Sequence, residues 1–285
     1  MDAISNKSLY QQFVDLARDE VGKAGGLKKA DAAIVLNGEG DARTVAVSQT
    51  DKAYDWKIRS QGDKTANNNT RTAFKDSIVS LFGGEEKIPP HIKDMMTNFE
   101  GKGKPLSARR VLLIAQEVDI ALAGRDTVEL LYDKGEGGFA AGFKKMKHDL
   151  RLGKSSGKEF YEQTIEACKL FVFTLSDRIR AACQLKGHVL PRAFEADLSN
   201  LNTKFSELAG KVGKLEPGVD VIDFVSDLKA TWTQHLQKAP PHSRDHSVAE
   251  TVCIGLEALE KEMDALSMTF AQANVSYKRE AMGID

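Results

Sequence analysis

The chain has 285 residues, with 40 Lys+Arg against 41 Asp+Glu, 41% apolar and 28% charged residues, which is ordinary globular composition. That excludes a collagen, a disordered tail and a coat of one charge, and at this length the expectation is one large domain or two of about 100–200 residues each. Residues 1–150 carry 23 basic and 22 acidic groups and residues 151–285 carry 17 and 19, so neither half has the charge of a nucleic-acid-binding surface.

The start, Met1-Asp2-Ala3-Ile4-Ser5-Asn6-Lys7, has no apolar signal core. The longest aliphatic run, Val111–Ala115, is far short of the roughly 20 residues that span a bilayer. The expected setting is the cytoplasm, or export by a specialised secretion system that needs no Sec signal. Cys168, Cys183 and Cys253 are odd in number and sit in apolar helical patterns, so they read as core residues of a reduced protein.

In chain order, residues 8–23 form an amphipathic helix stopped by Gly25-Gly26. Thr44–Val47 alternates like a strand and is either a strand or an extended connection, since a single strand cannot make a sheet. Asn67-Asn68-Asn69-Thr70 supplies caps for a helix through Phe74, Ile78, Leu81 and Phe82, closed by Gly83-Gly84. Pro89-Pro90 opens a short helix with Ile92 and Met95-Met96, and Ser107 caps a helix over 108–123. A helix through Phe139–Leu152 leads to Gly153-Lys154-Ser155-Ser156-Gly157, where a boundary separates residues 1–155 from 156–285.

The second part carries four apolar seams. The first is Tyr161, Ile165, Cys168, Val172, Leu175, Ile179 and Ala182; the second is Phe194, Leu198, Leu201, Phe205, Leu208 and Val212. The third is Val221, Val225, Leu228, Trp232 and Leu236, and after Pro240-Pro241 the last runs Val252, Leu256, Leu259, Met263, Leu266, Phe270, Ala273 and Tyr277. The fold expected is all-α: an irregular helical N-terminal module followed by an antiparallel up-down four-helix bundle. Its last helix, capped by Ser243 or Asp245 and reaching Met282, would be about 60 Å long against about 30 Å for the second. Its overhang, with Met268, Phe270, Val275 and Tyr277, is expected to pack on the long first helix of the bundle or on the N-terminal half, or else on a partner, for which Met268, Val275 and Tyr277 are the candidate residues. The same seams bury equally well inside one bundle or between two chains, so a homo-oligomer stays open.

Chemical motifs are sparse. Gly135–Gly142 is a glycine cluster whose amides could hold a phosphate, but it lacks the Gly-Lys-Ser/Thr of a P-loop and reads mainly as an interhelical turn. Lys144, Lys145, Lys147, Arg151 and Lys154, interleaved with Phe143, Met146 and Leu150, make an amphipathic basic helix suited to anionic lipid or an acidic partner. His235, His242, His246 and Cys253 can be drawn as a zinc site, but the glutamate of H-E-x-x-H is absent. No Glu-x-x-His for a di-iron bundle and no nucleophile elbow occurs, so no catalytic residue, metal or cofactor is assigned.

Asn69-Thr70-Arg71-Thr72-Ala73-Phe74, Leu81-Phe82-Gly83-Gly84-Glu85, Ile88-Pro89 and Gly103-Lys104-Pro105-Leu106-Ser107-Ala108-Arg109-Arg110 together carry a resemblance. Over about residues 65–125 the chain resembles a helical module near the N-terminus of large, uncharacterised bacterial proteins, some secreted or delivered to other cells. The resemblance implies a bacterial, effector-like protein and brings no catalytic residues. The expected function is non-catalytic protein interaction or scaffolding. Two alternatives stand beside it: a peripheral bundle that binds anionic lipid, and an enzyme or phosphate-ligand binder at the Gly135–Gly142 turn.

Overall fold

The computed structural model describes residues 2–38, 43–48, 64–97, 105–133, 138–184, 192–216, 219–241 and 243–284, without the side chains of residues 2–8, 184 and 192–194. It is all-α with little strand, and its contacts divide it into two compact units, Met1–Asp119 and Ile120–Asp285. Among the described residues no helix is long and apolar enough to cross a membrane.

The first unit contains α1 (Asp2–Lys23), α2 (Lys64–Phe82), α3 (Pro90–Thr97) and the first half of α4 (Ala108–Leu131). It also holds three short strands, β1 (Ala33–Asn37), β2 (Thr44–Val47) and β3 (Leu106–Ser107), in the antiparallel order β2-β1-β3. Thr44–Val47 is therefore a strand, the first of the two readings its alternation allowed, and the partners that sequence did not supply are β1 and, beyond it, β3. Its partner, Ala-Ile-Val-Leu-Asn, is a short apolar run, and such runs do not tell strand from helix by periodicity.

Helices α1 and α2 cover the sheet, with Phe13 and Tyr10 against Phe74 at ring separations of 5.1 and 6.2 Å. Side chains satisfy strand amides that face away from the ladder: Val45 N–H donates to Gln12 Oε1 at 3.3 Å and Leu36 N–H to Thr70 Oγ1 at 3.0 Å. These bonds blunt edges that would otherwise recruit another strand. Asn67 and Thr70 thus do not cap a helix start. Helix α2 begins earlier, at Lys64, and both residues are buried within it. Ser107 does act as expected, accepting the Arg110 amide at 3.3 Å.

The second unit contains the rest of α4 and α5 (Phe139–Arg151), α6 (Gly157–Gln184), α7 (Arg192–Gly213), α8 (Val221–Lys238), α9 (Arg244–Asp264) and α10 (Ser267–Ala281). Helix α6 is the hub, in contact with α5, α7, α9 and α10, and α8 packs on α9. Every described seam residue is buried, Leu236 partly; the Phe194 side chain lies outside the described residues. The segment 153–157 is a tight helix connection. Ser156 and Glu159 form a capping box, each accepting the other's amide at 3.2 and 2.9 Å. Because α5 packs on α6, residues 120–155 group with the helices that follow, and the division falls at 119/120 where composition suggested 155/156.

The single long last helix is also corrected. Asp264 ends α9, and Ser267 begins α10. At the joint the Leu266 amide bonds back only three residues, to Met263 O at 2.9 Å, and Leu266 has φ −98°, ψ 1°. No glycine or proline marks this break, which lets Phe270 and Tyr277 meet Tyr161 of α6 at 5.5 and 5.3 Å.

Candidate functional site

Helix α5 is built on two faces. Phe143 and Leu150 are buried, while Phe139 and Met146 pack on the core. Phe139 lies edge-on to Phe171 at 5.6 Å, and the Thr164 hydroxyl meets Met146 Sδ at 3.7 Å. With this stripe fixed on α6, the roughly 100° per residue of a helix carries Lys144, Lys145, Lys147, His148 and Arg151 to the other side. Lys144, Lys145, His148 and Arg151 are exposed, as is Lys154 beyond the helix end, and Lys147 is half-buried. The helix has one acid, Asp149, at the border of this arc. Among the described residues Lys144, Lys145, Lys147, Arg151 and Lys154 make no ion pair.

The helix ends in a compact turn. Leu152 keeps near-helical torsions, φ −86° and ψ 1°, with its amide bonded to His148 O at 3.1 Å. It is 55% exposed. Gly153 follows at φ +67°, in the left-handed region that suits glycine, and the Lys154 amide returns to Asp149 O at 2.9 Å.

The other sequence candidates separate. Of the glycine cluster, residues 134–137 lie outside the described residues. At Gly138 a Cβ would stand 2.0 Å from the Asp133 carbonyl oxygen, so this glycine is explained by the close approach of the Asp133 backbone. Met268 and Val275 are 78% and 63% exposed on α10. Tyr277 is not available to a partner: it is 4% exposed, and its hydroxyl donates to Glu216 O at 3.0 Å. Its candidacy as a partner-binding residue is corrected: α10 continues the path of α9 along α6, the bundle's own long first helix, and buries Tyr277 there. His242 lies outside the described residues. His235 has its own partner in Asp197 at 3.3 Å and its ring lies tilted against that of Trp232 at 5.2 Å, while Cys253 lies beside Thr233 at 4.0 Å.

Sequence reasoning misses a polar set in the first unit. His91 Nε2 and Glu117 Oε2, both buried, are 3.9 Å apart and tie α3 to α4. Nearby on α4, Asp119 accepts the Tyr10 hydroxyl at 3.0 Å. Burial first, then the Asp119 charge and hydrogen bond, hold the Tyr10 phenol well above its ordinary range. The available signal was Gln116-Glu117 interrupting the apolar run from Val111 to Leu122, with both side chains buried.

No family model, curated protein or solved structure matches the chain.

Proposed function

We propose that this is a non-catalytic helical binding protein that docks on anionic surfaces through the outward face of α5. The observation that carries the reading is a face of cations that, among the described residues, pair with no acid. Lys144 with Lys147, and Lys147 with Arg151, fall at helical spacings where like charges repel by a few tenths of a kcal/mol each. An anionic partner removes that cost and adds about 1 kcal/mol for each Lys or Arg brought near a charged surface.

The architecture that supports α5 is, on this reading, an up-down four-helix bundle of α6, α7, α8 and the α9–α10 pair. Cross-contacts support it by running in opposite chain senses: Arg180 with Glu195, His235 with Asp197, Phe205 with Phe224, and Lys229 with Glu260. Retention on an immobilised polyanion tests the function. The wild type should bind at low salt and elute as salt screens the contacts, while a Lys144→Gln, Lys145→Gln, Lys147→Gln variant with unchanged helicity should pass through. A wild type that is not retained overturns the reading.

A second reading keeps protein interaction at α10, favoured by the exposure of Met268 and Val275 two turns apart on one helix. The likeness of residues 65–125 to modules of bacterial proteins supports an effector-like role for it. Met268→Asp with Val275→Asp should then lose a stoichiometric partner that the wild type captures, at unchanged melting temperature; retention of that partner overturns it.

A further inference from the structure

We propose that the anionic surface recognised by α5 is a phospholipid bilayer, and that Leu152 is the residue that enters it. The proposal rests on the reading of α5 as the docking face and goes further by naming the occupant.

Leu152 lies four residues after His148 and seven after Lys145, and its amide bond to His148 O keeps it on their side of the helix. Gly153 then turns the chain sharply, so Leu152 occupies the crest of a tight turn between Arg151 and Lys154, both exposed. A large aliphatic side chain in the middle of a cationic face is a poor design for a purely polar ligand. An acidic peptide or a soluble polyphosphate would satisfy the cations and leave the leucine in water. A bilayer serves both, with phosphates for the lysines and arginine and acyl chains for Leu152 just beneath them.

The packing of α5 also sets the mode of binding. Its own apolar stripe, Phe143, Leu150, Phe139 and Met146, is already committed to the core of the second unit. The helix therefore cannot roll its hydrophobic face into the membrane as free amphipathic helices do. Docking is peripheral, with flexible lysine stems lying along the interface and a single wedge at one end. Two weak signals, charge and one inserted side chain, give reversible attachment that salt weakens.

The test uses the full chain, sedimented with vesicles of phosphatidylcholine alone or of an equal mixture with phosphatidylserine. Binding should need phosphatidylserine and fall with salt, with helicity unchanged on binding. Neutralising Lys144, Lys145 and Lys147 to Gln should weaken partitioning about fivefold per lysine, on the order of a hundredfold together. Leu152→Asp should weaken it about tenfold, while Leu152→Met should bind like the wild type. Equal binding by Leu152→Asp and wild type overturns the wedge. Retention on a polyanion without any vesicle binding overturns the bilayer as occupant and leaves the function proposed above standing. Binding to neither overturns both.

Discussion

A Cβ added to Gly157 would lie 2.4 Å from the carbonyl oxygen of Ala273, so the first residue of α6 is packed against the backbone of α10. The same closeness lets the Gly157 amide donate to Ser276 Oγ at 3.2 Å and Glu280 Oε1 at 3.0 Å, while Ser276 donates to Glu280 at 2.9 Å. A helix N-terminus leaves amides without intrahelical partners, and here side chains from more than a hundred residues away fill that role. Gly157→Ala should therefore destabilise the protein by about 2–3 kcal/mol, since a backbone atom cannot step aside as a side-chain tip can. Urea unfolding measures this; an unchanged midpoint would mean that α6 and α10 do not meet in this way.

Gly124 poses the same question with a different neighbour. It sits inside α4, where glycine costs about 1 kcal/mol relative to alanine. A Cβ there would fall 2.6 Å from Thr251 Cγ2. Gly124→Ala alone should lose about 1–2 kcal/mol net, clash outweighing propensity. Thr251→Ser removes the offending methyl, so in that background Gly124→Ala should become neutral or stabilising. The two substitutions form a double-mutant cycle, and additive effects would contradict the contact.

How much of this was legible in the sequence depended on whether a residue's role was periodic. The seam Tyr161, Ile165, Cys168, Val172, Leu175, Ile179, Ala182 could be read because burial on one helix face repeats with the helix, and all seven are buried. The break at Ala265-Leu266 could not, because it carries no glycine or proline and consists of a local change of hydrogen bonding, in which the Leu266 and Thr269 amides each bond three residues back. Thr70 looks like a cap in sequence and instead serves a strand amide 34 residues away, a relation that only tertiary structure creates. For the α5 face the composition of its cations was visible. Leu152 was not singled out, because its exposure follows from the turn at Gly153.

The ion pair between Lys229 and Glu260 links α8 to α9, and Ser226 adds a hydroxyl donor to Glu260 at 2.6 Å. The Lys229 hydrogen bond, followed by that of Ser226, lowers the Glu260 pKa, and the Glu260 hydrogen bond raises that of Lys229. The signs define a window. The depressed carboxyl contributes stability above its ordinary range and loses it as pH falls through the lowered value. The raised ammonium contributes below its ordinary range and loses it as pH rises through the raised value. Partial exposure keeps the contribution small, so Glu260→Gln should cost about 0.5–1 kcal/mol at neutral pH, the difference from wild type fading below about pH 4. A difference that persists at low pH would assign the effect to packing.

Tyr277 and Val275 stand two residues apart on α10, roughly 200° around the helix, and should respond oppositely to substitution. The Tyr277 ring lies 5.3 Å from that of Tyr161, and its hydroxyl holds the Glu216 carbonyl, which follows the end of α7. Tyr277→Phe keeps the ring and loses the hydrogen bond, for an expected cost of about 1 kcal/mol. Tyr277→Asp places a carboxylate without a partner in an aromatic core and should cost 4 kcal/mol or more, on the order of the largest single-substitution effects. Val275→Asp, on the solvent side, should stay within about 0.5 kcal/mol of the wild type. Thermal unfolding of the three variants decides the matter: a soft response at Tyr277 would return it to the surface, whereas the expected contrast leaves Met268 and Val275 as the residues through which α10 could meet a partner.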